Sequence, residues 1–307
     1  MKHSMQNSQR NQLLRFNFGV LVIMFFTIVQ NIPLCGQGIR MATFNIRVDT
    51  EKDSMNQWKY RKGLLCEFIA KEELDFFCLQ EVLSNQKDYI SSYFPEYICV
   101  SAGRVDGQNC GDAVPIFYLG EKFECLDSGT FWLSETPDSI GSIGWDARYP
   151  RIATWVKLKT KNSEDIFFVF NTHLDHRGMN AKKHGMELIK DSIGKICNET
   201  PTILTGDFNS IPKSEVCKIA ISKNVLMLDS YKCAKYREGQ RYTYHAFGKT
   251  NLIKRCKRID YVFITDQIRV NSLFIPKEKD VNGVFLSDHN PIIVYLSILK
   301  KQQELKE

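Results

Sequence analysis

Nine polar residues of this chain stand where apolar segments end. Asn45 follows MATF, Glu81 follows FFCLQ, and His173 and Asp175 follow FFVFNT. Asp207 and Asn209 follow TILTG, Asp260 begins DYVFI, and Asp288 and His289 precede NPIIVYL. Each alone has an ordinary explanation, because polar residues at strand ends are turn formers and caps. Six such places sharing one chemistry call for another, since strand ends converge on one rim of a sheet, where sites form. The shared chemistry is that of a hard cation. Magnesium takes carboxylate and carbonyl oxygens and keeps several waters, so Glu81 and Asp288 with the Asn45 amide are a suitable set, and manganese is the natural substitute. Neither HExxH nor a cysteine cluster is present to favour zinc. A carboxylate in reach of water acts as a general base, and an acid beside a histidine fixes its tautomer and favours the imidazolium.

The segments that must place these residues alternate between strand and helix. Ile39–Arg47, Asp75–Val82, Ala113–Phe131, Arg151–Lys159, Ile166–Leu174, Thr202–Thr205, Ile259–Thr265 and Pro291–Ile298 read as strands. Tyr60–Leu74 carries Leu64, Leu65, Phe68 and Ile69 at helical spacing, and Met179–Cys197 carries Leu188, Ile189, Ile193 and Ile196. The strands outnumber the helices and are mostly apolar, so they need cover on both faces. Two stacked sheets with helices outside supply it.

Residues 1–36 are expected to be a secretory signal. Lys2, Arg10 and Arg15 open it without an acidic residue, and GVLVIMFFTIV from Gly19 to Val29 is an uncharged run too short for a comfortable span. Pro33, Cys35 and Gly36 follow; the alternatives are a retained anchor or lipidation at Cys35, which Leu34 disfavours. Export would be to the periplasm or the extracellular space, with no stable membrane span afterwards. Loss of three basic residues takes the 41 Lys and Arg to 38 against 35 acidic residues, a net of +3, which argues weakly for a nucleic-acid partner. Residues 37–300 then form one domain, expected to be a monomer, and 301–307 a charged tail. Of the ten cysteines, Cys66, Cys78, Cys99 and Cys197 sit in apolar segments as small core residues, and no CxxC pair appears.

ATFNIR, LQEV, NTHLD, TGDFNS, RIDYVF and LSDHNP, in that order, resemble the motifs of the endonuclease/exonuclease/phosphatase superfamily over about residues 39–298. Its members include exonuclease III-type repair enzymes, deadenylases, inositol-polyphosphate phosphatases and bacterial sphingomyelinases. The resemblance implies an α/β fold, a four-layer α/β/β/α sandwich of two mainly antiparallel sheets. It also implies roles. Asn45, Glu81 and Asp288 match metal-side positions. Asp207 matches the carboxylate that activates water, Asn209 the amide that steadies the phosphate, and His289 the histidine on the phosphate, with Asp260 as its partner. His173 stands where members carry His or Tyr to help the phosphate or leaving group. Arg148 and Arg151 in GWDARYPRIATW are candidates to clamp phosphate oxygens, or are surface arginines on an edge strand. His245 and Phe247 lie in a loop where members place substrate-contacting aromatics, or they pack that loop. His176 and Arg177 either flank the site or are solvated, and His184 is read as a packing or surface residue.

The expected activity is metal-dependent hydrolysis of phosphate esters. A nuclease acting on DNA or RNA ranks first. A phosphatase or phosphodiesterase acting on inositol phosphates, lipid headgroups or small metabolites is the alternative, and an inactive binding protein is the remote third, because no motif position is missing.

Overall fold

The computed structural model describes residues 38–222, 225–249, 256–277 and 283–300. The signal segment and the charged tail lie outside the described residues. Two sheets stack face to face. The first runs β10(Tyr236–Gly239), β12(Ile268–Ile275), β13(Ile292–Ile298), β1(Ile39–Asn45), β2(Phe76–Gln80), β4(Ile116–Leu119), β3(Tyr97–Val100). The second runs β5(Phe123–Trp132), β6(Ile152–Thr160), β7(Ile166–His173), β8(Thr202–Asp207), β11(Asp260–Thr265), β9(Met227–Asp229). Most neighbours are antiparallel; β1 with β2, β10 with β12, and β7 with β8 are parallel.

The pleat decides what lies between the sheets, since alternate side chains of a strand point to opposite faces. Met41 of β1, Phe76 and Cys78 of β2, Phe167 and Val169 of β7 and Val262 of β11 meet in the central core. The intervening residues, Ala42, Phe44, Phe77 and Leu79, face outward onto α1(Trp58–Lys71) and α2(Ser84–Tyr93). On the far side Phe168, Phe170, Leu204 and Phe263 face α3(Met179–Cys197) and α4(Glu215–Ala220). This is the four-layer α/β/β/α sandwich. A further turn of helix, α5(Ser230–Cys233), packs near β11 and β12.

Polar side chains cross the central core beneath one rim. Gln80 at the end of β2 donates to Asn171 Oδ1 of β7 at 2.8 Å and to Thr43 Oγ1 of β1 at 3.0 Å. Asn171 in turn donates to the carbonyls of Leu79 and Pro115 at 2.8 and 2.9 Å. Both amides are fully buried, so these bonds fix how the sheets align: an unmade bond would strand a desolvated amide, at about 1–3 kcal/mol each.

The strand and helix expectations for β1, β2, β6–β8, β11, β13, α1 and α3 agree with these elements to within a few residues. Ala113–Phe131 is two strands, split by a turn at Gly120–Lys122. The helices α2, α4 and α5 and the strands β3, β9, β10 and β12 were not anticipated.

Candidate active site

The C-terminal ends of β1, β2, β7 and β8 and the incoming ends of β11 and β13 lie at one rim. Register brings the residues together. Asn45 pairs with Gln80, placing Glu81 one residue beyond; His173 pairs with Asp207, and Asp207 with Asp260. The glycine before Asp207 is required, because Gly206 has φ +139° and a Cβ there would stand 1.9 Å from the Thr172 carbonyl of β7.

A cleft of about 670 Å³ opens over this rim. Glu81, His173, Asp207, Asn209, Asp288 and His289 line it, with Arg47, Arg104, Arg151, His176 and Tyr244 around them. Asp260 lies just beneath, 1% exposed, and Asn45 likewise.

On the second sheet the geometry is tight. His289 Nδ1 bonds Asp260 Oδ2 at 2.8 Å, and its Nε2 lies 3.7 Å from Asp207 Oδ2. Burial pulls the imidazolium down, but the Asp260 carboxylate, with Asp207 and Asp288 behind it, outweighs burial and pushes His289 up to about 10. Burial, and then the charge of Asp260, push Asp207 up to about 7. Asn209, in left-handed backbone at φ +45°, donates from Nδ2 to His173 Nε2 and to the Leu174 carbonyl, both at 3.0 Å. The second bond fixes the amide's orientation, so His173 Nε2 accepts and the proton sits on Nδ1. Burial and the charge of Arg151 hold His173 well below the usual histidine range, as a neutral ring. Beside Asp207 the cleft thus holds a charged His289 and a neutral His173.

On the first sheet the side chains are held from loops. Glu81 is left-handed at φ +61°, and its Oε2 accepts from the Val48 amide at 2.9 Å. The Asn45 amide bridges the two halves of the site, donating to Glu81 Oε1 at 3.2 Å and to Asp207 Oδ2 at 3.0 Å. Its Oδ1 accepts from the Arg47 amide at 3.0 Å and keeps one lone pair for a cation. Ser287 Oγ donates to the Asn45 carbonyl at 2.6 Å, tying the approach to Asp288 onto β1. Two outer-helix residues complete the support. Gln86 of α2 bonds the Arg47 carbonyl and the Asp49 amide. Arg61 of α1, fully buried, donates to the carbonyls of Ile46, Arg47, Asn56 and Leu286.

Burial and then the charge of Glu81 push Asp288 above the ordinary carboxylate range, against the pull of His289. Carboxylates so crowded fit a hard divalent cation, with Glu81 and Asp288 presenting the oxygens and Asn45 beside them. Ligand atoms of Asp207, Asp260 and His289 also lie within 4.8 Å of one another. There, however, Nδ1 of His289 is committed to Asp260, and the imidazolium itself supplies the positive charge, so the metal-side set is the better fit.

Arg151 lines the cleft and Arg148 stands at its edge, whereas His245 and Phe247 do not line it. Both are buried beneath it, His245 against Phe285 with its Nδ1 accepting from the Gly248 amide. The substrate-facing aromatic of that loop is Tyr244, one position earlier, edge-on to His289 at 5.1 Å. Its bridge pairing with His289 and with Lys257 turns the ring to the cleft. Asp175 is spent on backbone amides and Arg151. His184 pairs with Glu187 and packs on Trp145. Arg61, Gln86, Ser287 and Tyr244 escaped the sequence reading; for Arg61 the available signal was a charge set on the apolar stripe of a helix.

Residues 42–289 match the Endonuclease/Exonuclease/phosphatase family. A solved member from Bacteroides vulgatus is 43% identical, covers 85% of this chain and 99% of its own, and superposes with a TM-score of 0.82. A mannosyl-6-phosphatase from Bacteroides thetaiotaomicron is 31% identical, covering 84% of this chain and 99% of its own, with a TM-score of 0.79. Nocturnin from Drosophila melanogaster is 25% identical over 90% of this chain, which spans 49% of that longer protein.

Proposed function

This chain belongs to the endonuclease/exonuclease/phosphatase family, whose members are phosphoester hydrolases, and from that premise we propose that it removes phosphate from small phosphorylated metabolites with the help of magnesium or manganese. The observation that carries the reading is the convergence of Asp207 and the Asp260–His289 pair on one point of a metabolite-sized cleft.

Each residue has a definable task. His289, charged and held by Asp260, donates from Nε2 to a phosphoryl oxygen. Asp207 takes a proton from water as the water oxygen attacks phosphorus in line with the ester oxygen. The new P–O bond forms as the ester bond breaks, and the departing oxygen leaves as an alcohol after gaining a proton from solvent. Arg151, which lines the cleft, steadies the phosphate. Glu81 and Asp288 would hold a divalent cation, which would supply positive charge beside the phosphoryl oxygens.

The similarity to a mannosyl-6-phosphatase supports a monoester substrate, and so do the small net charge and the lack of a long basic run. A diesterase acting on RNA or DNA, first in rank from sequence alone, is the second reading, favoured by the similarity to nocturnin. The apolar N-terminal segment supports action outside the cytoplasm. The test is a panel of sugar phosphates, inositol phosphates, oligonucleotides and bis-p-nitrophenyl phosphate, each with magnesium and with chelator. Metal-dependent release of inorganic phosphate from a sugar phosphate is expected. Cleavage of diesters alone would replace this reading with the second, and full activity in chelator would remove the metal.

A further inference from the structure

One carboxylate beside the cleft organises three arginines. Asp175 is buried, and its Oδ1 accepts from the amides of Arg177 and Gly178, each at 2.8 Å. Its Oδ2 accepts from the Arg148 amide at 3.1 Å and, loosely, from Arg151 Nε at 3.4 Å. Asp175 keeps its negative charge and offsets about one of the three arginines beside it. Among the described residues neither Arg148 nor Arg177 has a carboxylate within ion-pair distance, so about two positive charges are in surplus. Asp146 accepts from the amides of Asn180 and Ala181 at the start of α3 and is not ion-paired with either arginine.

One of these charges, Arg148, lies on a ring at the cleft. Tyr149 lines the cleft; the guanidinium of Arg104 lies 5.0 Å from its centroid, that of Arg148 5.5 Å, and His176 stacks on it at 6.3 Å. Arg148 Nε also bonds the Tyr149 hydroxyl at 3.1 Å. Arg104 is neutralised by Asp112, and partial desolvation shifts His176 below its ordinary value. The surplus thus belongs to Arg148 and Arg177, since Arg151 is paired with Asp175. Arg151 lines the cleft, and Arg148 and Arg177 are exposed next to its lining residues Tyr149 and His176. An unneutralised guanidinium cluster on an aromatic edge is the recognition chemistry of a phosphate-like anion.

We propose that this shelf is a second anion site, which holds a phosphate of the substrate other than the one hydrolysed. The favoured substrate then carries two phosphate-class groups. The inference rests on the hydrolase reading above and sharpens its substrate class. A bisphosphorylated metabolite and a neighbouring phosphate in a nucleotide chain offer the same chemistry, so the test separates them.

Binding of fructose 6-phosphate, fructose 1,6-bisphosphate and a 5′-phosphorylated dinucleotide is measured by calorimetry on the full chain, with calcium in place of magnesium. The bisphosphate is expected to bind at least about tenfold more tightly than the monophosphate. The ratio should fall to within about twofold in the Arg148→Ala, Arg177→Ala double variant, and also in wild type at high salt, since exposed charges are screened. The ratio of the two constants is the readout, so a general loss of binding does not mimic the result. Equal affinities in wild type, failure of the bisphosphate to bind, or a ratio that survives the double variant would overturn the shelf. A dinucleotide that binds more tightly than the bisphosphate, with the same dependence on the two arginines, would keep the shelf and transfer its anion to a nucleotide chain, against the metabolite reading.

Discussion

The two halves of the site are built by different means. On the second sheet, His173, Asp207 and Asp260 sit in regular ladders, opposite one another by register. On the first, Glu81 and Asp288 lie just past or just before a strand, Glu81 in left-handed backbone, and both are held by loops that Arg61 and Gln86 pin from the outer helices. A ladder fixes distances to a few tenths of an ångström and suits groups that must meet a reacting phosphate in one geometry. A loop-held cluster can adjust, which suits the flexible demands of a hydrated cation. The halves should therefore fail differently when damaged.

The largest effect is expected in the ladder half and at His289, which reaches Asp207 and Asp260 from the loop before β13. Asp207→Asn or His289→Ala should lower kcat by a factor of about 10² to 10⁴ with little change in KM. Asp260→Asn should resemble His289→Ala, and the Asp260→Asn, His289→Ala double variant should be far from additive, since the two act as a unit. Steady-state kinetics of the full cycle decide this; independent losses would mean that no such unit exists. Added magnesium should restore none of these variants.

Next comes Arg61. Arg61→Met takes the Arg61 donor from the buried Ile46 and Leu286 carbonyls and from the part-buried Arg47 and Asn56 carbonyls, and should lower stability by about 3 kcal/mol, read from chemical denaturation. Arg61→Lys should recover only part, because an ammonium lacks the planar fork that spans three segments. If Arg61→Met melts like wild type, the loops of the first half are held by something else.

Glu81→Gln should raise the magnesium concentration for half-maximal rate by roughly ten- to a hundredfold, with excess metal restoring much of the activity. A pure kcat defect that ignores metal would erase the contrast between the halves.

The smallest effect concerns acid. His245, beneath the loop-held half, is held down to about 4 by burial and by the charge of His289. Its folded value lies below its unfolded one, so between about 4 and 6.5 the unfolded chain binds more protons and stability falls as pH falls. Between pH 7 and pH 5 the loss should be about 2 kcal/mol from this group, and His245→Gln should remove that share of the fall in melting temperature. An unchanged pH profile in the variant would show that the ring is solvated as acid is added.

The sequence carried the motif residues of both halves of the site and most of the sandwich, because apolar runs bounded by Asp, Glu, His or Asn are local signals. It carried less where structure depends on partners. Helix α2 has only Gln86 and Ile90 buried, so its ten residues show almost no apolar stripe. Strand β12 has its alternation broken by a bulge between Val270 and Ser272, which shifts the period partway along. In β10 every residue is exposed, leaving no pattern to read. At the site, His245 and Phe247 drew notice by residue type, yet Tyr244 faces the cleft, because the bridge pairing of Tyr244 with His289 and Lys257 is a tertiary fact. Arg61 gives no local sign of the carbonyls of Ile46, Arg47, Asn56 and Leu286 that surround it.

The amide bridge of Gln80 and Asn171 has a consequence for assembly. It is where the two sheets are sewn together directly beneath the site, and each sheet carries only part of the constellation. A chain with both sheets formed but slipped against each other would leave Asn45 without its contact to Asp207 and would be catalytically silent. Turnover is thus a built-in gauge of correct closure. Complementary fragments carrying one sheet each, or folding intermediates trapped before the seam is stitched, should announce their docking by the onset of hydrolysis.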